Sequence, residues 1–148
     1  MNAELKVKTV AVTRTVPVQA NSLWTILRGG GDVDRILPEV IQSCRVEGVG
    51  PGARRFCTTK QGPLEETILC VNDDARLFRY RIDRQSMMPV DAYEGSVHVA
   101  DLGKDGAEVL WFATYRLVDE EADSAVRDGL AGLFHAAIQG MVALAKAA

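Results

Sequence analysis

Glu66 sits in a run, Leu64 to Val71, whose alternation places it with Ile68 and Cys70 on one face and Leu69 and Val71 on the other. A carboxylate on an apolar face is costly unless it is hydrogen-bonded or solvated by a cavity. In one register Glu66 meets such a cavity; in the other it reaches solvent and Glu65 points inward instead. Arg54 and Arg55 pose the same choice. A regular strand turns one of them in, where it pairs with Glu66, either structurally or around an anionic ligand. Phe78, Tyr80 and Ile82 make a second row, opposed by Arg79, Arg81 and Asp83. Tyr93, Gly95, Val97 and Val99 make a third, and Val109, Trp111, Ala113 and Tyr115 a fourth. Such rows around one acidic group fit a ligand-cavity lining, and fit a plain core as well. If chemistry occurs there, Glu66 is the general base removing a proton α to a carbonyl, with Tyr80, Tyr93 or Arg55 stabilising the enolate oxygen.

Other chemistries lack their residues. His98 and His135 are the only histidines, and neither has a second histidine or a cysteine three or four positions away. Cys44, Cys57 and Cys70 are odd in number with no CxxC spacing, and read as reduced strand cysteines of a cytoplasmic protein. No GxSxG occurs. Gly29-Gly30-Gly31 is followed by no GK[ST] and preceded by no strand, so it reads as a helix–helix joint, not a phosphate loop. No metal and no cofactor are expected.

The elements that position these residues follow from periodicity. Leu5 to Val18 alternates as a long strand, with Leu5, Val7 and Ala11 on one side and Val10, Val12 and Val16 on the other. Asn21 or Ser22 caps a short helix through Leu27, and Asp32 or Asp34 starts a second one ending before Pro38. Six strands are expected next: 40–47, 53–60, 64–71, 76–84, 91–100 and 107–118, joined by turns rich in Gly, Pro, Asn and Asp. Met87-Met88-Pro89 falls at a hairpin tip, as an apolar lid or as loop residues packed on the short helices. The last and longest periodic stretch, Asp123 to Lys146, carries Val126, Leu130, Leu133, Phe134, Ala137, Ile138, Met141, Leu144 and Ala145 on one helical face. Gly129, Gly132 and Gly140 interrupt it, each unfavourable by about 1 kcal/mol relative to Ala, and each leaves room for a ligand or lets the sheet approach. The fold class is thus α+β: a curved seven-stranded antiparallel sheet wrapped around a long C-terminal helix, with two short helices after the first strand closing one end.

At 148 residues the chain reads as one domain, 1–148, able to bury a core without disulfides or metals. A net charge of −3 with no basic block argues against nucleic-acid binding and polybasic membrane attachment. The alternating N-terminus does not read as a signal peptide. No continuous stretch approaches the roughly 20 apolar residues of a membrane span, so stable membrane insertion is not expected. Edge strands and the outer helix face each offer a surface for a homodimer.

Several features resemble, in order and spacing, the START-related, Bet v 1-like superfamily, with its bacterial polyketide cyclase/dehydrase and lipid-transport group. They are Val16-Pro17-Val18 leading to Trp24, Ile36-Leu37-Pro38, Gly50 through Arg55, Glu66 before Asn72-Asp73-Asp74, Tyr80-Arg81-Ile82, Pro89-Val90-Asp91-Ala92-Tyr93, and Trp111 before the final helix. The resemblance covers nearly the whole chain and implies a helix-grip fold with a cavity between sheet and helix. The chain is also similar to plant abscisic acid receptors, in which positions matching Glu66, Tyr80 and Tyr93 line the pocket. There, the segments matching Gln61-Gly62-Pro63-Leu64 and Met88-Pro89-Val90 act as gate and latch. The hormone-anchoring lysine of those receptors falls at about Pro38, so that salt bridge is missing, and Ile36 replaces an aromatic common in bacterial relatives. The expected ligand is small and mostly apolar: lipid-like, aromatic or polyketide-like. Its expected contacts are Glu66, Tyr80, Tyr93, Trp111, Ile68, Phe134, Ile138, Met88 and Pro89. Three functions remain in view: binding or transport, cyclisation or dehydration of a polyketide-like carbonyl compound, and a protein-interaction module with a collapsed cavity.

Overall fold

Buried and exposed side chains alternate along most strands, giving the sheet one dry face and one wet face. The computed structural model describes residues 6–148, so Leu5, at the start of the expected first strand, lies outside the described residues. The elements are β1 (Val7–Val16), α1 (Ala20–Leu27), α2 (Val33–Ile36), β2 (Ile41–Glu47), β3 (Arg54–Thr59), β4 (Gly62–Asn72), β5 (Leu77–Arg84), β6 (Val90–Asp101), β7 (Ala107–Leu117) and α3 (Asp123–Ala147). All neighbouring strands are antiparallel, in the order β1-β7-β6-β5-β4-β3-β2. β2 to β7 form a continuous meander, and β1 returns to pair with β7 from Val7↔Arg116 to Val16↔Ala107. β1 and β2 are therefore the two edges, and the α1–α2 segment connects them.

α1 starts one residue before the expected cap. Gln19 occupies the N-cap without a side-chain bond, and Asn21, inside the first turn, accepts through its amide oxygen from Arg76 Nε at 3.0 Å. The helix is anchored from outside: Asp73, in the β4–β5 turn, accepts from Trp24 Nε1 at 2.8 Å and from both Nε and Nη2 of Arg28. That pairing holds the Asp73 carboxyl below the usual carboxylate range, the hydrogen bond from Arg28 contributing most.

α3 buries Val126, Leu130, Phe134, Ala137, Ile138, Met141 and Val142. Val142 joins the stripe, while Leu133, Leu144 and Ala145 lie only partly covered at its margins. The helix packs on β1 and β7 and on α1 and α2, and stands away from the middle of the meander. Its glycines have other reasons than those expected. Gly129 and Gly132 are exposed and have open space where a side chain would go. Gly140 is where another backbone comes close, but that backbone is α2, not the sheet: a Cβ there would run into the Ile36 carbonyl. Together with its preceding turn, Glu120–Ala147 spans 28 residues, and an 18-residue window within it reaches a mean hydropathy of 1.3. A reading by continuous runs does not register such a window, because aliphatic residues and alanines raise its mean between scattered polar residues.

A bulge corrects one strand assignment. Ile68 pairs with Tyr80 but Cys70 pairs with Arg79, leaving Leu69 as the extra residue. Beyond it the faces exchange: Val71, opposite Phe78, points in, and Cys70 shares the outer face with Arg79.

Candidate functional site

The inward rows of β3 and β4 are Arg55, Cys57, Thr59 and Leu64, Glu66, Ile68. Arg54 turns outward beside Asp83, and Glu65 toward Arg84. Cross-strand register sets Arg55 directly opposite Glu66. Arg55 Nε donates to Glu66 Oε1 at 2.8 Å, and Arg55 Nη1 donates to the carbonyl of Gly30 at 3.0 Å. The two residues are 5% and 3% exposed, so this is a charge pair withdrawn from water. Burial works against the Arg55 charge, but attraction to Glu66 and their hydrogen bond outweigh it and leave the guanidinium above its ordinary pKa. The guanidinium also lies 5.3 Å from the Tyr80 ring centre.

Gly30 explains the triple glycine better than a plain joint does. Its φ of +75° is one that side-chain-bearing residues rarely adopt, and a Cβ would stand 2.8 Å from Ile68 Cδ1. The loop can therefore press onto the sheet and present its carbonyl to Arg55.

Three neighbouring strands supply the second group. Tyr80 on β5 and Tyr93 on β6 share a hydroxyl–hydroxyl hydrogen bond of 2.9 Å, and Trp111 Nε1 on β7 donates to the Tyr80 oxygen at 3.2 Å. Gly95 makes the convergence possible. It faces Tyr80 across the ladder, and any Cβ there would overlap the Tyr80 ring. A β6 bulge between Asp91 and Glu94, with Ala92 at φ +49°, sets the placement of Tyr93. The two tyrosines have two hydroxyl protons, and their mutual contact uses one. Since the only further bond to either oxygen is the one Tyr80 accepts from Trp111, the other proton has no protein acceptor among the described residues. Burial first, then the Glu66 charge, pushes Tyr80 up to about 12. Burial and Tyr80 carry Tyr93 well above its ordinary value. Both are neutral donors through the physiological range.

These groups border one apolar hollow of about 70 Å³ between the sheet and α3. Glu66, Arg55, Tyr80, Tyr93, Trp111, Phe134 and Met88 all lie on its wall, with Trp111 stacked on Phe134 at 5.5 Å. Three expected contacts do not. Ile68 is covered by the glycine loop at Gly30. Ile138 is fully buried one turn past Phe134, close to where α2 presses on the helix at Gly140. Pro89 is exposed at the hairpin tip, its carbonyl accepting from Val118 N at 2.9 Å. Met87 joins the wall, and Gln85 knots the tip by accepting from the amides of Met87 and Met88 at 2.7 and 2.9 Å. The methionines are thus half-buried wall residues on a pinned loop. Sequence reasoning missed the Gly30 carbonyl and the part Gly95 plays. Their signals were a glycine inside a loop of three and a lone glycine within an apolar strand row.

An antiparallel sheet closed on a C-terminal helix, with two short helices at one end, defines the helix-grip class of Bet v 1-like proteins. Within it, the chain belongs to the polyketide cyclase / dehydrase and lipid transport family, whose model matches residues 8–146. Norcoclaurine synthase from Thalictrum flavum, solved in complex with dopamine and hydroxybenzaldehyde, is similar at a TM-score of 0.77 and 19% identity, covering 95% of this chain and 87% of that one. A Nitrosospira multiformis protein gives 0.76 at 20% identity over 92% and 94%. A Bacillus thuringiensis protein gives 0.70 at 19% identity over 92% and 96%. At these identities the likeness carries the fold alone. No curated protein matches the chain.

Proposed function

We propose that this chain binds a small, mostly apolar molecule bearing a hydrogen-bond-accepting oxygen, such as a carbonyl or phenolic group, in the hollow between the sheet and α3. One observation carries the reading: the Tyr80–Tyr93 pair keeps one hydroxyl proton without a protein acceptor among the described residues, beside a mostly apolar wall. A buried donor without a partner is costly, by about 1–3 kcal/mol, and an acceptor on the ligand recovers that. Apolar contact with Phe134, Trp111, Leu130 and Val97 supplies the rest. The hollow is smaller than the roughly 300 Å³ at which pockets for drug-sized ligands begin. A larger ligand therefore requires the half-buried Ile26, Val33, Met87, Met88 and Leu133 to move outward. Methionines suit this, being unbranched and adaptable. Mass spectrometry of co-purifying small molecules, followed by titration against Trp111 fluorescence, tests the reading. Tyr80→Phe/Tyr93→Phe should weaken an oxygen-bearing ligand about tenfold (about 1.4 kcal/mol) and leave its hydrocarbon analogue unchanged. Equal loss for both ligands, or no binding across an apolar library, refutes it.

Enolisation of a bound carbonyl compound is the second reading. Glu66 Oε2 makes no hydrogen bond among the described residues, and Glu66 shares the wall with the spare tyrosine proton. A base and an oxyanion donor thus border one space. Glu66→Gln separates the two readings: turnover should collapse under the second, whereas affinity changes only modestly under the first.

A further inference from the structure

Cys44 and Cys57 are thirteen positions apart with no motif between them, yet β2 and β3 set them directly opposite one another in register. Directly paired residues on antiparallel strands have Cα atoms about 4.5–5.5 Å apart and side chains on the same face. That separation lies inside the window a disulfide spans. Both thiols are free, Cys57 buried and Cys44 half-buried on the edge strand, so Cys44 is the more open of the two to solvent. Hydrogen bonding to Cys57, and then the nearby Arg55 charge, hold the Cys44 thiol below its ordinary pKa, against burial and the Asp34 and Glu66 carboxylates. The same hydrogen bond and burial push Cys57 well above it. The half-exposed cysteine is thus the readier thiolate, and thiolate is the form that reacts. Cys70 has no such partner: the bulge at Leu69 turns it to the outer face opposite Arg79.

We infer that Cys44 and Cys57 form an oxidisable pair that a hydroperoxide converts to a cross-strand disulfide. The Cys44 thiolate attacks one peroxide oxygen, the O–O bond breaks, and the departing oxygen takes up a proton as water or an alcohol. Cys44 is left as a sulfenic acid. The Cys57 sulfur then attacks the Cys44 sulfur, the S–O bond breaks, and a second oxygen leaves as water. The two thiols supply both electrons, and the peroxide is the oxidant. The bond would tie edge strand β2 to β3 beside Arg55, two residues from Cys57 on the same inward row.

The test treats the reduced full-length protein with hydrogen peroxide and follows free thiols, with mass mapping of non-reduced peptides. The expected result is a fall from three free thiols to one, a linkage between Cys44 and Cys57, and full recovery with dithiothreitol. Cys70→Ser should form the linkage at the same rate. Cys57→Ser should stop at a Cys44 sulfenic acid that dimedone traps, and Cys44→Ser should leave Cys57 reduced; either variant alone suffices if the other does not fold. Parallel oxidation of all three thiols, over-oxidation of Cys44 with Cys57 still reduced, or disulfide-linked dimers in place of the internal bond would each overturn the inference. None of these readouts depends on the ligand reading above.

Discussion

Replacing Glu66 by Leu should leave the Arg55 guanidinium, 5% exposed, with the Gly30 carbonyl as its one remaining hydrogen-bond partner among the described residues. Stranding one member of a buried ion pair costs about 3–5 kcal/mol. The adjoining hollow of about 70 Å³ can admit water to the stranded charge, which places the expected loss near the low end, about 3 kcal/mol. For a chain of this size that lowers the melting temperature by roughly 6–12 °C. Arg55→Met should cost a similar amount, since it strands Glu66 and frees the Gly30 carbonyl together. The double variant Arg55→Met/Glu66→Leu removes both charges and fills the space with apolar atoms, so it should return to within about 1 kcal/mol of the parent. The coupling energy is then about 5 kcal/mol, far beyond the few tenths by which independent sites deviate from additivity. Equilibrium urea unfolding of the four proteins measures it, provided the slopes agree. A single substitution costing under about 1 kcal/mol, or a double variant as unstable as the two singles combined, would refute the argument. The stable double variant also separates scaffold from site: loss of ligand affinity in it assigns the pair to recognition.

The glycines should divide sharply by what surrounds them. Gly129→Ala and Gly132→Ala, each with open space on the exposed face of α3, should stabilise by about 0.5–1 kcal/mol apiece in urea unfolding. Gly140→Ala and Gly95→Ala should destabilise by about 1–3 kcal/mol, the first against the Ile36 carbonyl and the second against the Tyr80 ring. Stability should also fall on the alkaline side. Tyr80 is raised to about 12 and Tyr93 is raised too, so the fold favours their neutral forms. That contribution is complete below the unfolded pKa of about 10 and disappears as pH rises through the folded values. Melting temperatures between pH 9 and 12 should therefore drop more steeply in the parent than in Tyr80→Phe/Tyr93→Phe, and parallel curves would count against it.

Period and punctuation determined the elements. Inward rows at every second residue, turns at Gly62, Asn72–Asp74 and Gly103–Gly106, and one long stripe of period 3.6 sufficed for seven strands, two short helices and α3. The helix-grip class was legible because a sheet with one dry face and one long amphipathic helix have few ways to cover each other. The inward tyrosines and Trp111 were legible for the same reason, since alternation alone assigns them a face.

Everything that depends on an interruption of period, or on which strand lies beside which, was decided by the tertiary structure. The bulge at Leu69 turned Cys70 outward, because one extra residue exchanges the faces of all that follow. Glu66 over Glu65 and Arg55 over Arg54 were settled by the β3–β4 register, which aligned two opposite charges on the dry face. Cys44 met Cys57 through pairing, with no spacing in the chain to announce it. The glycines of α3 look alike in sequence, yet two face solvent and one admits the α2 backbone, because a missing side chain acquires meaning only from what comes near it. Sequence thus fixed which side chains face inward along each regular segment. Contact between segments decided which of those side chains meet, and so made a buried ion pair, a tyrosine pair with a proton to spare and the hollow beside them.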